Sequence, residues 1–383
     1  MKFCLGIGNI NKNIIYILLG GLIKFLFNLF IKDEFLSILF EHPLIMNFSS
    51  SLGLIISFIP WIIYKIRNKE INCCSKTHKY DLVYNDINKL IKYGKYKLIL
   101  LSSFIDFTQT MLVIKFCKQC KVNMWIFEIA FISIFFYIIF KSKLYIHHYI
   151  SIIIIISIGI SLDIYLGHYI FNDLDYAISM LLKFISEIVL SLVLVIDKYI
   201  MEKKFCSPYE ICFYHGIINF LLSLIFLSFS KEIRFDNYKE FFLAPSLEKF
   251  YAFIISMFQQ FIYNIFIYIV NKNSTPCHIL IMLVIGQFAP YIKALTKDKT
   301  SSIILIFGLL IILFFTFIFN EILEIKCLGL NKNTKKNIAL RAVDDLLSIN
   351  IIFNNNEEDN NDINEEDEEY MELSLMKGKR AKH

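Results

Sequence analysis

The sequence contains few charged residues and almost no arginine. Charged residues make up 19% of the 383 residues, and the arginines are Arg67, Arg234, Arg341 and Arg380. Hydrophobic residues make up 56%, above the average of soluble proteins. There is no basic groove with interleaved aromatic residues, so the composition argues against a nucleic-acid partner.

The motifs of common enzyme classes are missing as well. The chain has no Walker loop, no Gly-x-Ser-x-Gly, no His-Glu-x-x-His and no dinucleotide fingerprint. Its nine cysteines include a single Cys-x-x-Cys pair, Cys117 and Cys120, which lacks the second pair of a zinc site. We expect no enzyme, no metal and no cofactor, and the lack of a nucleotide-binding domain excludes an ATP-driven pump.

Apolar stretches of about 20 residues dominate the chain, which is the length that a helix needs to cross a bilayer. They lack the alternation of barrel strands. The sequence therefore predicts an all-α polytopic membrane protein in the lipid bilayer, with ten transmembrane helices. The predicted spans are 13–31, 42–66, 96–116, 122–140, 146–167, 175–199, 209–230, 250–271, 276–295 and 301–323.

Ten spans divide into two sets of five. Because five is odd, a duplicated half inserts with the opposite orientation, as in the inverted repeats of many transporters. We expect 1–167 and 168–323 to be these two inverted five-helix repeats. Lys and Arg are more numerous on the side of the termini, so both termini should be cytosolic.

The residues after the last span differ in composition. We expect 324–383 to be a cytosolic tail whose acidic, Asn-rich part is disordered. Tyr370 and Leu373 match the Tyr-x-x-apolar pattern of sorting signals. A sorting adaptor is therefore an expected partner of the tail.

Polar side chains inside the predicted spans are the candidate substrate and cavity residues. A charged group at this depth costs at least about 2.5–3.5 kcal/mol, so it is expected to face a cavity or a partner. Asp106, Gln109 and Thr110 share one helical face, as either a structural hydrogen-bond knot or a substrate or proton site. The other candidates are Glu128, Glu187, His215, Asn219, Gln260, Asn264 and Gln287.

Lys24 lies alone in the first span, and we expect it to pair with Asp106 or Glu128. The same two carboxylates are candidate proton carriers. Gly216 should allow a neighbouring helix to approach, and Pro290 is expected to break the ninth helix.

Asp197 and Lys198 are expected near the cytosolic end of the sixth span, where long side chains reach the membrane interface.

Several of these residues resemble the drug/metabolite transporter superfamily (EamA-like), specifically the nucleotide-sugar-transporter-like F-type branch of solute carrier family 35. The resemblance covers about 13–323. It implies ten helices and alternating access at a central cavity between inverted repeats. The matching residues are Asp106-x-Thr108-x-Thr110, Asp197-Lys198-Tyr199, Ser207-Pro208, His215-Gly216 and Asn264.

Two spans depart from the family pattern. Relatives carry cationic residues in the fourth and ninth spans, where this chain has Glu128, Met282 and Ile285 among others. Losing these cations argues against an anionic nucleotide sugar, because phosphates are bound by Arg or Lys.

We therefore expect a secondary transporter that moves a small polar metabolite, nucleotide-sugar-like according to the resemblance, across an internal membrane. Golgi, ER and endolysosomal membranes are the expected locations. The alternative is a non-transporting membrane scaffold of the same fold that acts through its cytosolic tail.

Overall fold

The computed structural model describes residues 5–7, 12–30, 43–67, 81–116, 124–165, 174–229, 247–295 and 299–325. Its helices are α1 (Lys12–Phe30), α2 (Pro43–Ile56), α3 (Phe58–Arg67), α4 (Asp81–Phe116), α5 (Glu128–Phe140), α6 (Ile146–Tyr165), α7 (Leu174–Lys203), α8 (Pro208–Phe229), α9 (Leu247–Asn273), α10 (Ile279–Ala294) and α11 (Lys299–Phe319). Short 3₁₀ turns, Met124–Phe127 and Pro276–His278, precede α5 and α10. The sorting pattern at Tyr370 and Leu373 lies outside the described residues.

The chain divides into two units. The smaller one contains Met1–Asn9, Tyr145–His147 and Glu321–His383. In its described part, strand β1 (Leu5–Ile7) pairs antiparallel with strand β2 (Leu323–Ile325). The larger unit contains Ile10–Leu144 and His148–Asn320, and it holds the body of the helices described below.

The described helices have the length and composition of membrane spans. Eight helical segments are long and apolar enough to cross a membrane, and Met124–Phe140 is a shorter apolar helix. Helix α4 has 36 residues and carries Asp106 in its apolar part. At about 1.5 Å per residue, it too is long enough to cross a bilayer. The prediction of a multi-pass helical membrane protein is confirmed.

Helix α11 has one exposed apolar face and one buried face. Ile303, Phe307, Leu310 and Phe314 lie at helical spacing and are 38–65% exposed. The other face, which includes Gly308, is buried. An exposed apolar stripe of this length is unfavourable in water but matches lipid, so the stripe is the surface expected to contact acyl chains.

The predicted second span is not one continuous helix. It is interrupted at Ser57, where α2 ends and α3 begins. Pro60 has no N–H, so it cannot donate the bond that would continue α2 into α3. At the break, the hydroxyl and the N–H of Ser57 both donate to the carbonyl oxygen of Leu54, at 2.6 and 3.0 Å.

The expectation that Pro290 breaks the ninth helix is wrong. Helix α10 continues through Pro290 to Ala294. The proline leaves the carbonyl of Gly286, four residues earlier, without its helical donor. Asn28 of α1 supplies a replacement, because its Nδ2 donates to the Gly286 oxygen at 3.2 Å.

Helix α8 lies against α2, α4 and α9, while α1 packs chiefly on α10. A Cβ added to Gly216 of α8 would lie 2.7 Å from the nitrogen of Ile55 and 2.8 Å from the Cβ of Leu54. The expectation that Gly216 admits a neighbouring helix is confirmed, and the neighbour is α2. This close packing fixes the position of His215, the adjacent residue.

Candidate functional site

Six polar side chains from four helices meet inside the larger unit, and we call them the His215 group. Helix α4 contributes Ser102 and Asp106, α7 contributes Asp197, α8 contributes His215 and Asn219, and α9 contributes Tyr268.

His215 occupies the centre of this group. Its Nδ1 lies 3.7 Å from Oδ2 of Asp106, and its Nε2 lies 3.4 Å from Oδ1 of Asp197. The hydroxyl of Tyr268 lies 3.2 Å from the same Nδ1. The imidazole therefore connects carboxylates that come from two different helices.

Both carboxylates are also held by neutral donors. Nδ2 of Asn219 donates to Oδ2 of Asp106 at 2.8 Å. The hydroxyl of Ser102 donates to Oδ1 of Asp197 at 2.5 Å. Short hydrogen bonds of this kind are typical of charged acceptors and fix the orientation of the carboxylate.

The His215 group is shielded from its surroundings. Asp197, His215 and Ser102 have no exposed surface, and Asp106 is the most accessible member at 22% of its side chain. Three buried atoms lack a hydrogen-bond partner among the described residues: Oδ2 of Asp197, Oδ1 of Asn219 and Nε2 of His215. Two of these are acceptors, so the group has fewer donors than its oxygens require.

A second polar group, which we call the Glu128 group, joins Lys24 of α1, Glu128 of α5, Glu187 of α7 and Tyr263 of α9. Nζ of Lys24 donates to the hydroxyl of Tyr263 at 3.2 Å and lies 4.6 Å from the centre of its ring. Glu128 and Glu187 are 1% and 8% exposed. Both carboxyl groups lie close enough to each other and to Lys24 to interact electrostatically.

Lys24 was expected to pair with Asp106 or Glu128. The structure places it on the side of Glu128, at the distance of an electrostatic interaction, while its hydrogen bond goes to Tyr263. Oε2 of Glu128 has no hydrogen-bond partner among the described residues.

The other predicted site residues lie outside both groups. The hydroxyl of Thr110 donates to the backbone oxygen of Asp106 at 3.0 Å and lies 3.5 Å from Oε1 of Gln109, so these contacts stay within α4. Asn264 donates to the side chain of Gln260 at 3.0 Å, within α9. Gln287 of α10 is partly buried, and its side chain makes no hydrogen bond to another described residue. The structure thus brings together Asp106, His215 and Asn219, and separately Lys24, Glu128 and Glu187.

Sequence reasoning missed the central role of Asp197. It expected Asp197 and Lys198 near the cytosolic end of the sixth span, which stays a prediction, and it did not anticipate that both are buried, at 0% and 3% exposure. Nζ of Lys198 donates to the backbone oxygen of Lys272 at 2.7 Å and pairs with Glu202 at 2.8 Å. The sequence did contain a signal. Asp197 lies beside the helical stripe formed by Ser191, Leu194 and Lys198, and that face of α7 is buried.

An ion pair connects α4 and α8 on the side of the bundle that we expect to be cytosolic. Nζ of Lys95 lies 2.6 Å from Oε1 of Glu210, and the two side chains are 13% and 8% exposed. Lys95 precedes the predicted third span. Burial alone would lower its pKa, but the hydrogen bond and the attraction to Glu210 outweigh burial, so the pKa of Lys95 is raised. The lysine therefore stays charged at neutral pH and holds the two helices together.

No protein-family model matches the chain, and a search of curated proteins gives no match either. The functional proposals below therefore rest on the residues and their geometry.

Proposed function

We propose that the protein is a secondary transporter, which moves a small polar metabolite across an internal membrane by alternating access. The observation that carries the proposal is the His215 group. Two carboxylates and a histidine are buried between helices that have the composition of membrane spans. Such groups are expensive to place at this depth, and they typically mark a substrate or ion pathway.

The two halves of the predicted repeat both contribute to this group. Ser102 and Asp106 precede residue 168, whereas Asp197, His215 and Tyr268 follow it. A site of this kind changes its geometry when one half rocks against the other. That property is required of a carrier, whose site must open alternately to each side.

The helix packing supports an inverted repeat. With α2 and α3 counted as one span, the described helices correspond to the ten predicted spans. Each helix of a contacting pair can be replaced by the helix five spans further along, counting on from the first span after the tenth. The new pair is then also in contact in three cases. The pair α1–α10 corresponds to α7–α5, the pair α4–α7 corresponds to α9–α1, and the pair α2–α9 corresponds to α8–α4. The pair α10–α11 is an exception, because its counterpart, α5–α6, makes little contact among the described residues.

The test is uptake of a metabolite mixture by vesicles that contain the purified protein, read by mass spectrometry against protein-free vesicles. We expect one solute or a few related solutes to enter. Asp197→Asn should lower the initial uptake rate about tenfold or more, because removing a charged partner of buried hydrogen bonds costs about 1.5–3 kcal/mol.

The matched control is Glu202→Gln, which makes the same carboxylate-to-amide change on the same helix. Glu202 is 41% exposed and lies outside the His215 group, and its partner Lys198 keeps its hydrogen bond to the backbone oxygen of Lys272, so uptake should be preserved. Removal of 354–383 should also preserve uptake. A folded protein that moves no solute would contradict the proposal, and loss of cellular activity on removing the tail would favour the scaffold.

A further inference from the structure

The surroundings of His215 indicate what drives the proposed transport. Each ring nitrogen faces a carboxylate: Nδ1 faces Asp106 on α4 and Nε2 faces Asp197 on α7. The side chain is completely buried. Neither carboxylate has a Lys or Arg within ion-pair distance among the described residues.

A neutral imidazole would leave these surroundings without a positive charge. Its single N–H could face Asp197 while its Nδ1 accepted from the hydroxyl of Tyr268, 3.2 Å away, but no cation would then face the two carboxylates. The protonated ring presents an N–H on both sides and supplies the positive charge that two buried carboxylates require.

The other groups around His215 do not supply this missing positive charge. Helix α2, which packs along α8, contains no titratable side chain between Pro43 and Ile56. The titratable and charged groups that interact with the ring or with its carboxylates are Asp106 on α4, Asp197 on α7, Cys206 before α8, Cys212 on α8 and Tyr268 on α9.

We propose that His215 is the proton-binding residue that couples transport to a proton gradient. This inference rests on the proposed function. The proton adds to a ring nitrogen and later leaves from it, with no other bond made or broken. Asp106, the most accessible member of the group, lies where the proton enters.

Proton binding at His215 changes the interaction between the two predicted halves. The protonated ring attracts Asp106, which precedes residue 168, and Asp197, which follows it. After the proton leaves, one nitrogen no longer donates and the two carboxylates are not bridged. The energy of the contact between the halves therefore depends on the proton, which is the requirement for coupling.

The first experiment uses the vesicles and metabolite mixture of the uptake test, with and without an imposed pH gradient. Wild-type protein should concentrate its solute at least tenfold when the gradient is present. His215→Gln should abolish this concentration, and any remaining uptake should stop at equal concentrations. Transport by the wild type that ignores the gradient, or gradient-driven transport by His215→Gln, would overturn the inference and leave the proposed function standing.

The matched control is His278→Gln. His278 lies in the 3₁₀ turn before α10, outside the His215 group, where its Nδ1 contacts Thr275 in a capping box. Glutamine is compatible with this capping position, so the variant should keep its response to the gradient. It separates loss of His215 from loss of any histidine.

A second experiment needs no solute. Wild-type protein and His215→Gln in detergent are titrated between pH 5 and 10, and the bound protons are counted. Wild type should bind one more proton per molecule, and Asp106→Asn should alter the pH at which that proton leaves. Equal proton counts would refute the inference whatever the uptake assay shows. If His215→Gln does not fold, the shift with Asp106→Asn decides, and no shift counts against the inference.

Discussion

Gly216→Ala tests the close packing that positions His215. The added Cβ would lie 2.7 Å from the nitrogen of Ile55, and 2.8 and 2.9 Å from the Cβ and the carbonyl carbon of Leu54. Two of these three atoms belong to the backbone, so no rotamer change relieves the clash. Helix α2 or α8 must shift, and overpacking of this kind costs about 1–3 kcal/mol.

The control is Gly94→Ala, the same change in another helix. Its Cβ would meet only the Lys204 side chain, at 3.6 and 3.9 Å, which is ordinary van der Waals contact. Both variants gain about 1 kcal/mol of helix propensity. The difference between their free energies of unfolding therefore isolates the packing cost, and we expect Gly216→Ala to be less stable by about 1–3 kcal/mol.

The assay for this pair is unfolding by SDS in mixed micelles, followed by tryptophan fluorescence. Trp61 of α3 stacks on Phe213 of α8 with ring centres 5.3 Å apart, so it reports directly on this region. If Gly216→Ala unfolds at the same SDS fraction as Gly94→Ala, or at a higher one, then α2 and α8 are not in close contact and the placement of His215 is wrong.

Two further predictions concern ion pairs. Lys95→Met should lower the free energy of unfolding by about 3 kcal/mol, because Glu210 is left charged and buried, and adding Glu210→Gln should restore part of it. Since the pKa of Lys95 is raised, the stabilisation is complete below the pKa of an unfolded lysine and disappears only as pH rises through the folded value. The gap between wild type and Lys95→Met should therefore be constant from pH 7 to 9 and close in strong alkali; a gap that shrinks by pH 8 would contradict this. In the Glu128 group, Lys24→Met should destabilise the protein, and Glu128→Gln should suppress the loss in a double-mutant cycle measured by the same SDS assay; additive effects would show that the two charges do not interact.

The positions of the helices were predictable from hydropathy. A run of about 20 apolar residues lowers the free energy of a helix in lipid regardless of its neighbours, so the sequence alone carries that information. The breaks within helices were not predictable from hydropathy. Pro60 lies beside a break and Pro290 does not, because Asn28 from a different helix bonds the carbonyl that Pro290 leaves without a donor.

The candidate site was predictable in part. Asp106, His215 and Asn219 stand out because polar residues are rare in these spans, and the structure brings them together. Asp197 was not among the predicted site residues because it lies near the predicted end of its span, although α7 continues to Lys203 and Asp197 is buried. Distance from the end of a hydrophobic run was therefore a poor measure of burial.

Helix α7 connects the two polar groups. It carries Glu187 in the Glu128 group and Asp197 in the His215 group, ten residues or about 15 Å apart along one continuous helix. In each group the α7 carboxylate interacts with a residue that precedes 168: Glu128 of α5 in one, and Ser102 of α4 in the other. A displacement of α7 relative to α4 and α5 would therefore change the contacts of both groups together.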